Sequence, residues 1–234
     1  MRLAELLAGI VPVPAGPLAE IGIRGISVDS RSVRPGDLFV AVPGAHVDGH
    51  AYLADAARGG AAAALVEREL PSPPLPVVRV PSTAAALPGV AATLHGDPSA
   101  RLRVTGVTGT NGKTTVTYLI EAVLAASGRV PAVIGTIDYR VAGTLLRKGL
   151  TTPFPHELQA VAAEAVALGA TDLLMEVSSH AAAQGRIEGI RFDVGIFTNL
   201  TRDHLDFHGD METYFSAKAR LFREYLPAGG KRTG

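Results

Sequence analysis

Gly106-Val107-Thr108-Gly109-Thr110-Asn111-Gly112-Lys113-Thr114-Thr115 decides how the rest of the chain is read. It joins an apolar stretch, 102–108, to a stretch with helical character, 113–127, that Gly128 closes. A glycine-rich turn between strand and helix lets backbone N–H groups point at phosphate oxygens where Cβ atoms would otherwise intrude. Lys113 offers a point charge to the β- and γ-phosphates, Thr114 a hydroxyl to Mg²⁺, and the helix its positive end. The spacing departs from the common phosphate-loop pattern, because the position five before Gly112 is Val107 and the preceding glycines stand at 106 and 109. The alternative is a Gly-rich turn of an unrelated fold; Lys-Thr-Thr at the helix start argues against it.

Downstream, apolar strands are predicted at 132–136, 173–177 and 194–198, with helices over 155–168 and 211–225. Apolar strands alternating with helices imply a parallel sheet covered on both faces, with ligands at the carboxyl ends of its strands. Upstream, Leu3, Leu6, Leu7 and Ile10 recur at helical spacing, and short strands are predicted at 25–28, 38–42, 62–66 and 77–80. Helices over 51–58 and 82–94, the latter capped by Ser82, alternate with them. The turn-rich run His95-Gly96-Asp97-Pro98-Ser99 marks the boundary. The expectation is therefore an α/β protein: a small N-terminal α/β domain, 1–97, followed by a parallel-sheet phosphate-loop domain, 98–234.

Composition narrows the function classes. Hydrophobic residues make up 47% of the 234, enough for a real core, and 22 basic residues balance 22 acidic ones. That balance lacks the basic footprint of a nucleic-acid binder. Without cysteine there is no disulfide framework, thiolate zinc site or Cys nucleophile. No apolar run reaches the ~18 residues of a membrane span. Glu5 and the prolines at 12, 14 and 17 spoil a signal peptide. The expectation is a cytoplasmic monomer acting on small molecules, with neither nucleic acid nor membrane as partner.

Gly109-Thr110-Asn111-Gly112-Lys113-Thr114-Thr115 resembles the ATP loop of the Mur ligases, which build the peptide stem of bacterial cell-wall precursors. Further stretches carry the likeness. Asp29-Ser30-Arg31 and Gly44-Ala45-His46-Val47-Asp48-Gly49-His50 are similar to the family's nucleotide-sugar pocket. Thr151-Thr152-Pro153 and Glu176-Val177-Ser178-Ser179-His180, with Gln184 and Arg186, are similar to its substrate loops. Asn199-Leu200-Thr201-Arg202-Asp203-His204-Leu205-Asp206 and Tyr214-Phe215-Ser216-Ala217-Lys218 complete the set. Their order is most similar to the members that add the third stem residue.

The resemblance implies ATP-dependent amide formation. The carboxylate of UDP-N-acetylmuramoyl-L-Ala-D-Glu takes the γ-phosphoryl of ATP, and the amine of an amino acid displaces phosphate from the acyl phosphate. It also implies three domains, of which this chain would carry the first and an incomplete second, and so be inactive alone. Another family member, a folylpolyglutamate-type ligase and a non-catalytic nucleotide or UDP-sugar binding module are the competing readings.

Residue roles follow with their plain alternatives. Glu176 ends an apolar strand, where with Thr114 it would hold the Mg²⁺ of ATP; otherwise it is a strand end facing solvent. By resemblance His204 serves a second Mg²⁺ site. His204 and His208 at i and i+4 also suggest zinc, but Leu205 stands where a zincin needs Glu. Lys218 on its amphipathic helix reads as a solvated lysine; by resemblance it reacts with CO₂ to give a carbamate ligand. Lys113 and Arg186 are the cations expected near substrate and transferring phosphate. Ser30 and His46 are assigned by resemblance to the uridine-diphosphate pocket, and Thr151, Thr152, Ser178 and Gln184 are candidate donors to the sugar-peptide. The whole reading requires Lys113 and Glu176 on the same side of the sheet.

Overall fold

The computed structural model describes residues 1–44 and 47–228 and divides the chain into two compact units, Met1–Leu94 and His95–Gly234.

In the first unit, α1 (Leu3–Leu7), β1 (Gly25–Ser27), β2 (Asp37–Val40), α2 (Leu53–Arg58), β3 (Ala63–Val66), β4 (Val77–Arg79) and α3 (Thr83–Leu94) follow in chain order. The strands form a fully parallel sheet, β1-β2-β3-β4. Alternation along each strand explains why they read as continuous apolar runs. Leu38, Val40 and Leu65 pack with Leu3, Leu6 and Val90 on one face, while Phe39, Ala41, Ala64 and Val66 pack with Leu53 and Ala56 on the other. The structure shortens the first helix to one turn and starts α2 after a 3₁₀ turn, Gly49–Tyr52.

The second unit contains β5 (Arg103–Thr108), α4 (Lys113–Ala126), β6 (Pro131–Ile134), β7 (Tyr139–Val141), β8 (Thr144–Arg147), α5 (Pro155–Ala167), β9 (Asp172–Glu176) and α6 (Ser179–Ala183). After these come β10 (Val194–Phe197), α7 (Leu205–His208), α8 (Met211–Arg220), a π turn Leu221–Tyr225, and α9 (Leu226–Ala228). The sheet runs β10-β5-β9-β6-β7-β8. Its first four strands are parallel, as the sequence leads one to expect. The last two are not: β7 and β8 form an antiparallel hairpin that makes the sheet mixed. Its turn, Ala142-Gly143, has positive φ at both residues (48° and 77°), the pattern whose twist suits a two-residue hairpin. Alanine in that conformation carries no turn signal, so the hairpin is illegible in the sequence. The continuous helix expected to 225 instead widens into the π turn after Arg220, with Leu221 and Tyr225 both buried.

Candidate active site

The phosphate loop leaves β5 between two neighbouring strand tips. Val107 pairs with Glu176 on β9, and Thr108 pairs with Phe197 on β10. Gly109 sits at φ 141°, where an added Cβ would run into the Thr198 hydroxyl and the Asn199 backbone. Gly112 (φ 83°) caps α4 in a left-handed conformation with open space around it, leaving the first turn without a side-chain cap.

The segment after β10 grips this loop. Thr110 N donates to Asn199 O (3.0 Å) and Asn111 N to Asn199 Oδ1 (3.1 Å), while Thr198 Oγ1 donates to Asn111 O (2.7 Å). The Thr110 hydroxyl donates to Thr201 O (3.1 Å), accepts from Thr201 N (3.0 Å), and lies 3.0 Å from the Tyr214 hydroxyl. The sequence placed Asn199 and Thr201 in a motif without a role. Their task as a clamp depends on a contact 88 to 91 residues away along the chain.

Lys113 curls back, donating from Nζ to Gly109 O (3.0 Å) and Thr110 O (2.9 Å). Burial pushes its pKa down, against the raising influence of Glu176 and Asp203. Thr114 Oγ1 donates to Glu176 Oε1 at 2.9 Å, which puts the loop's helix and the β9 carboxylate on one side of the sheet. Thr115 is exposed on the first turn of α4. Glu176 is 1% exposed, so the alternative of a solvent-facing strand end is excluded. Its carboxylate also accepts from Thr136 N (3.1 Å, Oε1) and Thr136 Oγ1 (2.9 Å, Oε2). Thr136, at the end of a predicted strand, carried no signal of this.

Lys218 overturns the solvated-surface alternative. It is 1% exposed, donates from Nζ to Gly109 O (2.7 Å), and lies 4.4 Å from the centre of the Tyr214 ring. Burial, then the charge of Lys113, holds its pKa down at about 8, with Asp203 opposing. Both lysines therefore meet on one loop carbonyl. His204, left-handed at φ 51°, is exposed and packs edge-on against His180, ring centres 4.7 Å apart; its Nε2 is 3.4 Å from Asp203 Oδ2. His208 is buried against Tyr214 and His180, an aromatic packing position.

A second cluster adjoins Glu176 through its main chain. Thr152, 1% exposed, donates from Oγ1 to Glu176 O (2.7 Å) and accepts from Ser178 N (3.1 Å). Ser178 caps α6 by accepting from Ala181 N. Arg186 donates to Gln184 Oε1 (2.9 Å) and Thr152 O (3.3 Å), with its guanidinium 4.4 Å from the Phe154 ring centre. The Thr151 hydroxyl is 3.1 Å from that of Thr136. Thr151, Thr152, Ser178, Gln184 and Arg186 thus form one group beside Glu176. Ser30 belongs to the first unit, where it lines a cleft of about 580 Å³ with Asp29, Arg31, Phe39, Val42 and Tyr52. Arg31 beside Asp29 holds that carboxyl down at about 2. His46 lies outside the described residues.

A Gly-rich turn from a central strand into an uncapped helix, with a buried carboxylate on the neighbouring strand tip, is the architecture of phosphate-loop nucleotide-binding α/β proteins. Comparison with known proteins narrows the class. Residues 107–231 match the Mur ligase middle domain, and residues 22–95 match the Mur ligase family catalytic domain. The chain belongs to the Mur ligase family. It is 47% identical over 229 residues to the UDP-N-acetylmuramoyl-L-alanyl-D-glutamate–2,6-diaminopimelate ligase of Geobacter metallireducens, covering 97% of this chain and 45% of that one. Against the ligase of the same name from Solibacter usitatus it is 48% identical over 226 residues, covering 95% and 46%. A solved structure of a ligase of that name superposes with a TM-score of 0.80 at 31% identity, covering 95% of this chain and 45% of that one. The MurF ligase from Thermotoga maritima in complex with ADP superposes at 0.56 with 26% identity, covering 85% and 42%. The chain spans about half the length of the curated relatives it matches.

Proposed function

We propose that this chain provides the acceptor-nucleotide and ATP-phosphate sites of a ligase that joins 2,6-diaminopimelate to UDP-N-acetylmuramoyl-L-Ala-D-Glu through an acyl phosphate. The relatives' names supply the substrates. The observation that carries the reading for this chain is the 2.9 Å bond from Thr114 to Glu176 beneath the open first turn of α4. On this reading the first unit is the UDP-sugar-binding domain, its cleft offering Ser30 and Arg31 to a diphosphate and the exposed ring of Tyr52 to a base. The second unit is the central ATPase domain.

Each residue's task follows from its surroundings. The first-turn amides of α4 lack helical partners and face a phosphate. Lys113 exchanges the carbonyls of Gly109 and Thr110 for phosphate oxygens. Thr114 and Glu176 present a hydroxyl and one carboxylate, a hard-oxygen set suited to Mg²⁺. That ion, when bound, neutralises charge on the transferring phosphoryl group. Arg186 is held by Gln184 and the Phe154 face, ready to clamp an acceptor carboxylate. Thr152 and Ser178 spend their hydroxyls within the loop, so their contribution is to hold Glu176 and α6.

The buried Lys218 supports carbamylation. A pKa near 8 leaves an appreciable neutral fraction, whose nitrogen attacks CO₂, forming an N–C bond and releasing one proton. Lys113, which disfavours the ammonium, favours the resulting anion. With His204 the carbamate would serve a second metal position.

Titration calorimetry of the whole chain tests the proposal. ATP with Mg²⁺ and UDP-N-acetylmuramoyl-L-Ala-D-Glu should each bind. Lys113→Ala should abolish the first and spare the second; Ser30→Ala should weaken only the second. A folded wild-type chain that binds neither ligand overturns the proposal.

A further inference from the structure

Glu176 is held at both ends by residues of two other segments. Its carboxylate takes two hydrogen bonds from Thr136, one from the backbone and one from the hydroxyl. Its carbonyl takes one from Thr152. The Thr136 hydroxyl has a single proton, committed to Glu176 Oε2, so the Thr151 hydroxyl 3.1 Å away is the donor of that pair. A directed chain results: Thr151 to Thr136 to Glu176.

We infer that Thr136 is a positioning residue, resting on the nucleotide-site reading above: it orients the Glu176 carboxylate for the metal of a metal–nucleotide complex and couples that carboxylate to the Thr151 loop. Three observations favour this over a role in the fold. The turn after β6 is already closed by the backbone, Gly135 N donating to Asp138 O at 3.2 Å, so the hydroxyl is not needed to form it. Thr136 is itself exposed, while the group it binds is buried. Gly135 leaves the carboxylate its room, since a Cβ there would stand 2.5 Å from Glu176 Oε1.

The donor count also chooses the metal-facing oxygen. Oε1 accepts from both Thr114 and the Thr136 amide, whereas Oε2 accepts from the Thr136 hydroxyl alone. Oε2 keeps the spare lone pair, and a single carboxylate oxygen is what Mg²⁺ ordinarily takes from one side chain. Without the hydroxyl the carboxylate is held at Oε1 alone, by Thr114 and the Thr136 amide, and the spare lone pair on Oε2 loses the bond that fixes its direction. The neighbouring Thr151 then loses its acceptor, which ties the acceptor loop to the metal position.

The test compares ATP affinity of the whole chain with and without Mg²⁺, for wild type, Thr136→Val and Thr136→Ser. Valine keeps the β-branched shape and backbone amide but removes the hydroxyl. The inference expects Val to cut the Mg²⁺-dependent gain in affinity about tenfold, the worth of one hydrogen bond to a charged group, with Mg²⁺-free affinity unchanged and the urea midpoint lowered, because Oε2 of a buried carboxylate loses its donor. Serine should restore the gain. An undiminished gain in Val overturns the inference and leaves the nucleotide site standing. Equal loss with and without Mg²⁺, or failure of Ser to rescue, overturns it in favour of a structural role. If folded wild type binds no ATP under either condition, the nucleotide-site reading falls and this inference with it.

Discussion

Lys218 makes stability depend on alkaline pH in a way that one variant isolates. Its ammonium is 1% exposed, with a pKa lowered from 10.5 to about 8 by burial and by Lys113. Below about pH 8 the residue is protonated in both folded and unfolded chains and adds no pH dependence. Between about 8 and 10.5 the unfolded chain retains a proton that the folded chain has shed, so stability rises with pH. Above about 10.5 both forms are neutral and the gain is complete. At about 1.4 kcal/mol per pH unit, a span of about 2.5 units gives about 3 kcal/mol. Urea unfolding of wild type and Lys218→Met, in CO₂-free buffer from about pH 7 to 10.5, measures it. Subtracting the variant's curve removes the contribution of groups not coupled to Lys218. The wild-type advantage should grow by about 3 kcal/mol across the series. A difference flat with pH, or falling, would refute the reasoning, because it would mean the ammonium is as well solvated folded as unfolded.

Three further outcomes are expected. Tyr214→Phe should cost only about 1 kcal/mol in urea unfolding despite full burial, since Thr110 Oγ1 keeps both its bonds to Thr201 and no buried group is orphaned. Phe192→Ala should cost about 3–5 kcal/mol by the same measurement, because the ring is 2% exposed and fills the space over Gly106. Gly135→Ala should displace the Glu176 carboxylate and weaken ATP binding chiefly when Mg²⁺ is present, read by calorimetry; equal affinity to wild type would show that the carboxylate tolerates the shift.

The legible parts of this molecule are those whose cause is local. Strand 102–108, the glycine turn and the helix from Lys113 are encoded within one run of residues, and the structure places them as β5, loop and α4. Alternating apolar faces likewise make β2 and β3 readable as doubly buried strands. The β7–β8 hairpin was not readable, because its turn puts Ala142 where glycine or asparagine is the usual signal. Nor was Thr136, an unremarkable residue at the end of a strand until the neighbouring strand brings Glu176 against it.

By itself the sequence determined the alternation of strands and helices, the phosphate turn, and the family likeness carried by its motifs, because each depends on the order of residues along a few turns of chain. Tertiary structure alone decided which groups share an environment. Lys113 and Lys218, 105 positions apart, meet on the Gly109 carbonyl; Asn199 and Thr201 hold a loop almost ninety residues upstream; and Lys218 loses its water. Charge, proton affinity and hydrogen-bond direction depend on distance and desolvation in space, and those quantities exist only once the strands are set side by side.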